Sequence, residues 1–200
     1  MPAPTAAALS PLAVHLTRAG KTESTHRIHA AVMHGSGDIV AAYGDINRVI
    51  FPRSALKPLQ TVALVESGAA ARLHVSDVEI ALACASHSGE ELHTTAVGAW
   101  LSRLGFDDAQ LGCGAHAPYA DGCKPAATLA NNCSGKHTGM LALAKFMDAP
   151  IDGYLDTDHP VQQIILSTIA DLCGTPLAAC DCGIDGCSAP NPAMPLSALA

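Results

Sequence analysis

The stretch FPRSALKPLQ, residues 51–60, decides how the rest of the chain is interpreted. Ser54 and Lys57 are three residues apart, which on a helix places both side chains on one face. One interpretation is a helix start that Ser54 caps, with Lys57 in solvent. The other is a serine nucleophile beside its own base, because a serine hydroxyl attacks only when a neighbour removes its proton. The spacing alone leaves both open.

The same stretch predicts a helix from Ser54 to Gly68, with Gly68 as the residue that follows its end. Its apolar side chains cover most of the circumference, so we expect the helix to be buried. A lysine ordinarily titrates near 10.4, so a base that works near neutrality needs a much lower pKa. Burial, the positive helix N-terminus and the neighbouring Arg53 all act in that direction.

The flanking regions predict a mixed α/β chain. Residues 11–44 contain extended runs around the turn GSGD, which indicates a hairpin. Helices are expected after capping boxes at Ser76 and Ser88, from Ser134 through Met147, and from His159 to Gly174. Residues 106–132 and the final stretch from Cys180 are expected to be irregular.

Composition excludes several classes of protein. The chain has 200 residues, 49% of them hydrophobic and 14% charged, so it folds rather than remaining disordered. Its net charge of −7 and the absence of a basic stripe argue against nucleic acid and anionic membranes as partners. The N-terminal apolar run lacks basic residues and is interrupted by Pro11, which is untypical of a signal peptide. We therefore expect a cytoplasmic protein that has no membrane partner and keeps its cysteines reduced.

Two further stretches carry chemistry. In CASHSGEELH, residues 84–93, Ser86 is either part of a turn between helices or a second hydroxyl for the site. In NNCSGKHTGM, residues 131–140, Cys133, Lys136 and His137 share the start of a helix, where the pKa of a thiol falls. A cysteine from CDCGIDGC, residues 180–187, could complete a zinc site with them, although no C-x-x-C pair is present. The remaining cysteines are expected to be core or loop residues: Cys84, Cys113, Cys123 and Cys173.

Six stretches together resemble the asparaginase II family, the thermolabile rhizobial-type L-asparaginases. They are ESTHR (23–27), YGD (43–45), FPRSALKPLQ, ASHSGE, NNCSGKHTGML and DGCSAPNPAMPL. The resemblance implies a serine β-lactamase-like or glutaminase-like α/β fold, with an antiparallel sheet and a helical cluster. It also implies hydrolysis of L-asparagine to L-aspartate and ammonia, and a homodimer.

The resemblance also implies roles for individual residues. Ser54 resembles the nucleophile, Lys57 its base, and Ser86 the serine that passes protons to the leaving amine. Zinc ligands are implied at Cys133, Lys136 and Cys187, although chemistry alone favours His137 over a lysine. This zinc aids substrate binding and is not strictly required.

The charges of free asparagine call for one cation and one anion in the site. We expect Arg53 to bind the α-carboxylate and Asp185 the α-ammonium. Family members continue beyond Ala200, so we expect residues 1–200 to be a single domain truncated at its C-terminus. A glutaminase, a penicillin-interacting serine-lysine hydrolase and a non-catalytic zinc-binding module remain the alternatives.

Overall fold

The computed structural model describes residues 13–119, 124–176 and 181–200. The chain forms two compact units. One contains the described residues up to Ile50 together with Met194–Ala200, and the other contains the described residues between Phe51 and Ala193. The expectation of a single domain stays a prediction. Cys123, Cys180 and the apolar residues at the start of the chain lie outside the described residues.

The first unit consists of three small antiparallel strand pairs. Strand β1 (Ala13–Arg18) pairs with β2 (Lys21–Arg27), and β3 (Ala30–Met33) pairs with β4 (Ile39–Tyr43) across the predicted GSGD turn. Strand β2 was not foreseen, because KTESTHR is polar throughout and offers no hydrophobic alternation. The third pair joins β5 (Val49–Ile50) to β8 (Met194–Pro195), which leads into the short helix α7 (Leu196–Leu199).

The second unit is a cluster of helices with one hairpin. Its helices are α1 (Lys57–Glu66), α2 (Ala69–Arg72), α3 (Asp77–Cys84), α4 (Glu91–Leu104), α5 (Ser134–Phe146) and α6 (Pro160–Cys173). Its hairpin pairs β6 (Cys182–Ile184) with β7 (Pro190–Pro192). The mixed α/β class, with antiparallel strands and a helical cluster, is therefore confirmed.

Helix α5 forms the centre of this unit. It contacts α1, α2, α3, α4 and α6, and every residue from Ser134 to Ala144 is buried. Gly135 permits this close packing, because a Cβ there would collide with the backbone of Leu82, whereas a Cβ at Gly139 would make only an ordinary contact, 3.5 Å from the Ala83 side chain. Leu82 lies in the last turn of α3, which ends at Cys84, so this approach brings the end of α3 next to the start of α5.

Several predicted helix boundaries agree with the structure. Ser76 and Glu79 form the expected capping box of α3. Gly68 and Gly174 both have left-handed backbone conformations directly after α1 and α6. Pro58 lies in the first turn of α1, where its missing N–H breaks no helical hydrogen bond.

Other predictions were wrong. Ser88 does not cap α4, whose N-cap residue is Glu90; the Ser88 hydroxyl instead donates to the Glu90 carboxylate at 2.8 Å. Helix α1 is buried on one face only, and Val65 is exposed. The final stretch is a hairpin rather than a loop, because its strands pair through the backbone and need no hydrophobic alternation.

No helix in the described part of the chain is both long enough and apolar enough to cross a membrane.

Candidate active site

Ser54 lies in a 3₁₀ turn, Arg53–Leu56, that leads directly into α1. It is not the cap of a helix as predicted, because the N-cap residue of this turn is Pro52 and α1 begins only at Lys57. The Ser54 side chain is exposed and lines a cleft of about 240 Å³. Its hydroxyl is therefore available to a ligand rather than occupied by a capping hydrogen bond.

Lys57 is the first residue of α1 and is only 1% exposed. Its Nζ lies 2.9 Å from the Ala85 carbonyl, 3.0 Å from the Asn132 carbonyl and 2.9 Å from Ser86 Oγ. Burial lowers the pKa of Lys57 below its ordinary value, because the ammonium loses its hydration.

These three contacts suit a neutral amine. A neutral lysine has two N–H groups and one lone pair, and the two carbonyls can only accept hydrogen bonds. The Ser86 hydroxyl can donate, so it is the partner able to direct a proton at the lone pair. Among the described residues no side-chain hydrogen bond joins Ser54 Oγ to Lys57 Nζ; the two residues are linked through the Lys57 backbone N–H, which donates to the Ser54 carbonyl, and the hydroxyl in contact with the amine is that of Ser86.

Arg53 and Asp185 form an ion pair beside Ser54. Arg53 Nε donates to Asp185 Oδ1 at 3.0 Å, and Nη2 lies 2.9 Å from the same oxygen. The arginine side chain is 67% exposed and the aspartate side chain 11%. Both residues line the cleft, so a cation and an anion stand together at its wall.

A second cluster combines sulfur and nitrogen atoms. Lys136 Nζ donates to Cys187 Sγ at 3.0 Å, and both residues are buried. Cys133 interacts with the same Cys187 thiol. This interaction lowers the pKa of Cys187 and raises that of Cys133, so Cys187 is the more acidic thiol of the pair.

His137 lies next to this cluster but is held elsewhere. Its Nδ1 is 2.6 Å from the Tyr154 hydroxyl, which accepts a 2.8 Å hydrogen bond from the Gly112 N–H. Its Nε2 makes no hydrogen bond, although Cys187 is near enough to raise the pKa of His137 against the larger lowering by burial. Within the described ranges no three His, Cys, Asp or Glu side chains converge on a possible metal position. A metal here would therefore need the amine of Lys136 together with Cys133 and Cys187, two sulfurs and one nitrogen, a donor set that fits zinc with one open position.

Five residues of the cleft were missed by the sequence analysis: His116, Tyr119, Asn131, Asn132 and Gly186. The rings of His116 and Tyr119 lie 4.7 Å apart and form one wall of the cleft. They belong to the irregular segment, where no periodicity signals which side chains point together. The only available signal for the asparagines was their position directly before Cys133.

The cleft, the exposed Ser54 and the buried Lys57 together form the candidate active site. The family model described as L-asparaginase II matches residues 14–200. The chain belongs to the L-asparaginase II family, and this supports an amidohydrolase function of the L-asparaginase type. No curated protein matches the chain.

Proposed function

We propose that the protein hydrolyses L-asparagine to L-aspartate and ammonia through an acyl-enzyme on Ser54. The observation that carries the proposal is the buried Lys57 amine, which contacts two carbonyls and one hydroxyl beside the exposed serine. Lowering of its pKa by burial favours the neutral form that a base requires.

In the first half-reaction, Ser54 Oγ attacks the side-chain carboxamide carbon of asparagine. Lys57 takes the serine proton, and Ser86 passes a proton from the amine to the leaving nitrogen as the C–N bond breaks. Ammonia leaves, and an ester joins Ser54 to the aspartyl group. Water then attacks this ester, Lys57 accepts its proton, and aspartate is released as Ser54 regains its hydrogen.

Arg53 and Asp185 provide the charges that a free amino acid needs. In the absence of substrate each neutralises the other. Asparagine presents a carboxylate to Arg53 and an ammonium to Asp185, so binding exchanges one ion pair for two. A free amino acid fits this arrangement better than a peptide, whose α-groups are uncharged.

The sulfur and nitrogen cluster is the proposed zinc site. Cys133, Lys136 and Cys187 would hold the metal, which would supply a positive charge that helps to bind substrate. The acyl-transfer steps use only Ser54, Lys57 and Ser86. We also propose that the protein acts in the cytoplasm and forms a homodimer. Sedimentation of the purified protein tests whether it is a dimer.

Ammonia release from asparagine, glutamine and a chromogenic β-lactam tests the assignment. We expect asparagine to be turned over and Ser54→Ala to abolish turnover while the melting temperature stays unchanged. Preference for glutamine or the β-lactam would favour the other serine-lysine hydrolases. If Ser54→Ala keeps full activity, the acyl-enzyme proposal is wrong. If, in addition, removal of metal by a chelator unfolds the protein, a non-catalytic zinc-binding module is favoured.

A further inference from the structure

The residue directly before Ser54 has a strained backbone. Arg53 has φ +54°, in the left-handed region that residues other than glycine seldom adopt. Such a conformation is unfavourable for a residue with a Cβ and persists only where surrounding contacts hold it. Because Ser54 follows immediately, the Arg53 torsion sets the direction of the chain that carries the serine.

Asn191 holds this backbone from a distant part of the sequence. Its Oδ1 accepts a 3.2 Å hydrogen bond from the Arg53 N–H. The residue is 6% exposed and belongs to β7, where it lies between Pro190 and Pro192 and opposite Gly183 of β6. The flanking prolines restrict its main chain, so the acceptor is presented by a stiff strand.

The same hairpin contacts the segment at two further points. Asp185, just after β6, pairs with the Arg53 guanidinium. Gly183 lies against the Phe51 ring, where a Cβ would come within 3.0 Å of the ring carbon Cε1. The hairpin therefore contacts the Phe51 ring, the Arg53 side chain and the Arg53 backbone N–H, and of these three contacts within the described residues the one from Asn191 is to the strained main chain.

We propose that Asn191 is a positioning residue for Ser54, acting through the backbone of Arg53. This inference rests on the proposed role of Ser54 as nucleophile. Without the acceptor, the Arg53 N–H would be unpaired and the segment would relax toward an ordinary conformation. The serine hydroxyl would then move away from its attacking position.

The test compares Asn191→Leu, which keeps the shape and removes the acceptor, with Asn191→Asp, which keeps an acceptor oxygen. The readout is the rate at which a fluorophosphonate phosphonylates Ser54, with the Oγ–P bond forming as fluoride leaves, together with kcat and KM for asparagine and the melting temperature. We expect the leucine variant to be phosphonylated about 10- to 100-fold more slowly. Its kcat should fall with little change in KM, and amide exchange in residues 51–56 should become faster. The aspartate variant should stay within about threefold of the parent protein, because a carboxylate also accepts the N–H.

Equal phosphonylation rates in the leucine variant and the parent would overturn the inference and leave the proposed function standing. Equal slowing in both variants would also overturn it. If the parent protein is not labelled at Ser54, the proposed function fails first and this inference with it.

A second pair of variants covers the case in which Asn191→Leu does not fold. Arg53→Gly and Arg53→Ala both lose the guanidinium, but only glycine adopts a positive φ without cost. We expect the alanine variant to be phosphonylated by the fluorophosphonate several times more slowly than the glycine variant. Identical rates would show that the left-handed conformation does not position the serine.

Discussion

The two buried lysines of the second unit have different surroundings. Lys57 begins α1 and contacts two carbonyl oxygens and a hydroxyl. Lys136 lies in the first turn of α5 and contacts the sulfur of Cys187. The exposed fraction of both is small, 1% for Lys57 and 5% for Lys136, so the difference lies in the partners and not in the depth of burial.

Because their surroundings differ, the two lysines are suited to different chemical roles. Desolvation by burial dominates at Lys57 and lowers its pKa, although the nearby Cys133 and Cys187 act in the opposite direction. Lys136 donates a hydrogen bond to Cys187, whose pKa is lowered by Cys133 first and by His137 and Lys136 as well. An amine bonded to carbonyl and hydroxyl oxygens suits proton transfer, whereas an amine bonded to an acidic thiol suits charge balance or metal binding.

The largest expected effect is on kcat, which should differ strongly between variants of the two lysines. We expect Lys57→Met to lower kcat by about 10²–10⁴-fold, the range for loss of a general base. Lys136→Met is the matched control and should retain most of kcat, because its amine takes no part in acyl transfer. Single-turnover measurements of ammonia release check both variants. Comparable losses of kcat in the two variants would contradict the different roles assigned to Lys57 and Lys136.

A smaller effect is expected from the sulfur cluster. Cys187→Ser should abolish zinc binding and raise KM for asparagine by about tenfold, equivalent to one lost contact of about 1.4 kcal/mol, with kcat little changed. Metal content by mass spectrometry and steady-state kinetics measure the two parts. Cys84→Ser, outside both clusters, is the control. A fall in kcat at constant KM would instead place Cys187 in the chemistry.

The smallest effect concerns stability at alkaline pH. Because burial holds the pKa of Lys57 below 10.5, the folded protein loses this proton before the unfolded chain does. Between these two pKa values the unfolded state binds more protons, so the contribution of Lys57 makes the free energy of unfolding rise with pH. Urea unfolding at a series of alkaline pH values should show this contribution in the parent and in Lys136→Met but not in Lys57→Met. An identical pH dependence in Lys57→Met and the parent would contradict it.

The helix boundaries that were predicted correctly are those that local sequence signals determine. The Ser76 capping box and the glycines after α1 and α6 act within one or two turns, so the sequence shows them directly. The 3₁₀ turn at Ser54 was missed because its geometry depends on Asn191, 138 residues from Arg53. The β6–β7 hairpin was missed because its residues, CGI and PNP, have low strand propensity.

The residues of the candidate site also divide into those that the sequence identified and those that it did not. The residue types at Ser54, Lys57 and Ser86 were identified from motifs, and the structure brings Lys57 and Ser86 together. The aromatic wall of His116 and Tyr119 was not identified, because an irregular segment has no period that predicts which side chains meet.

The sequence by itself determined the helical cluster, the chemical groups of the two clusters and the family. Composition, periodicity and caps are local properties, and motifs preserve residue types. Only the tertiary structure decided that the Lys57 amine contacts the Ser86 hydroxyl, that Arg53 pairs with Asp185, and that Lys136 contacts Cys187. Each of these contacts joins segments distant in sequence, so no local pattern specifies it. The two buried lysines find their partners only when packing removes them from water and leaves the buried polar groups to satisfy one another.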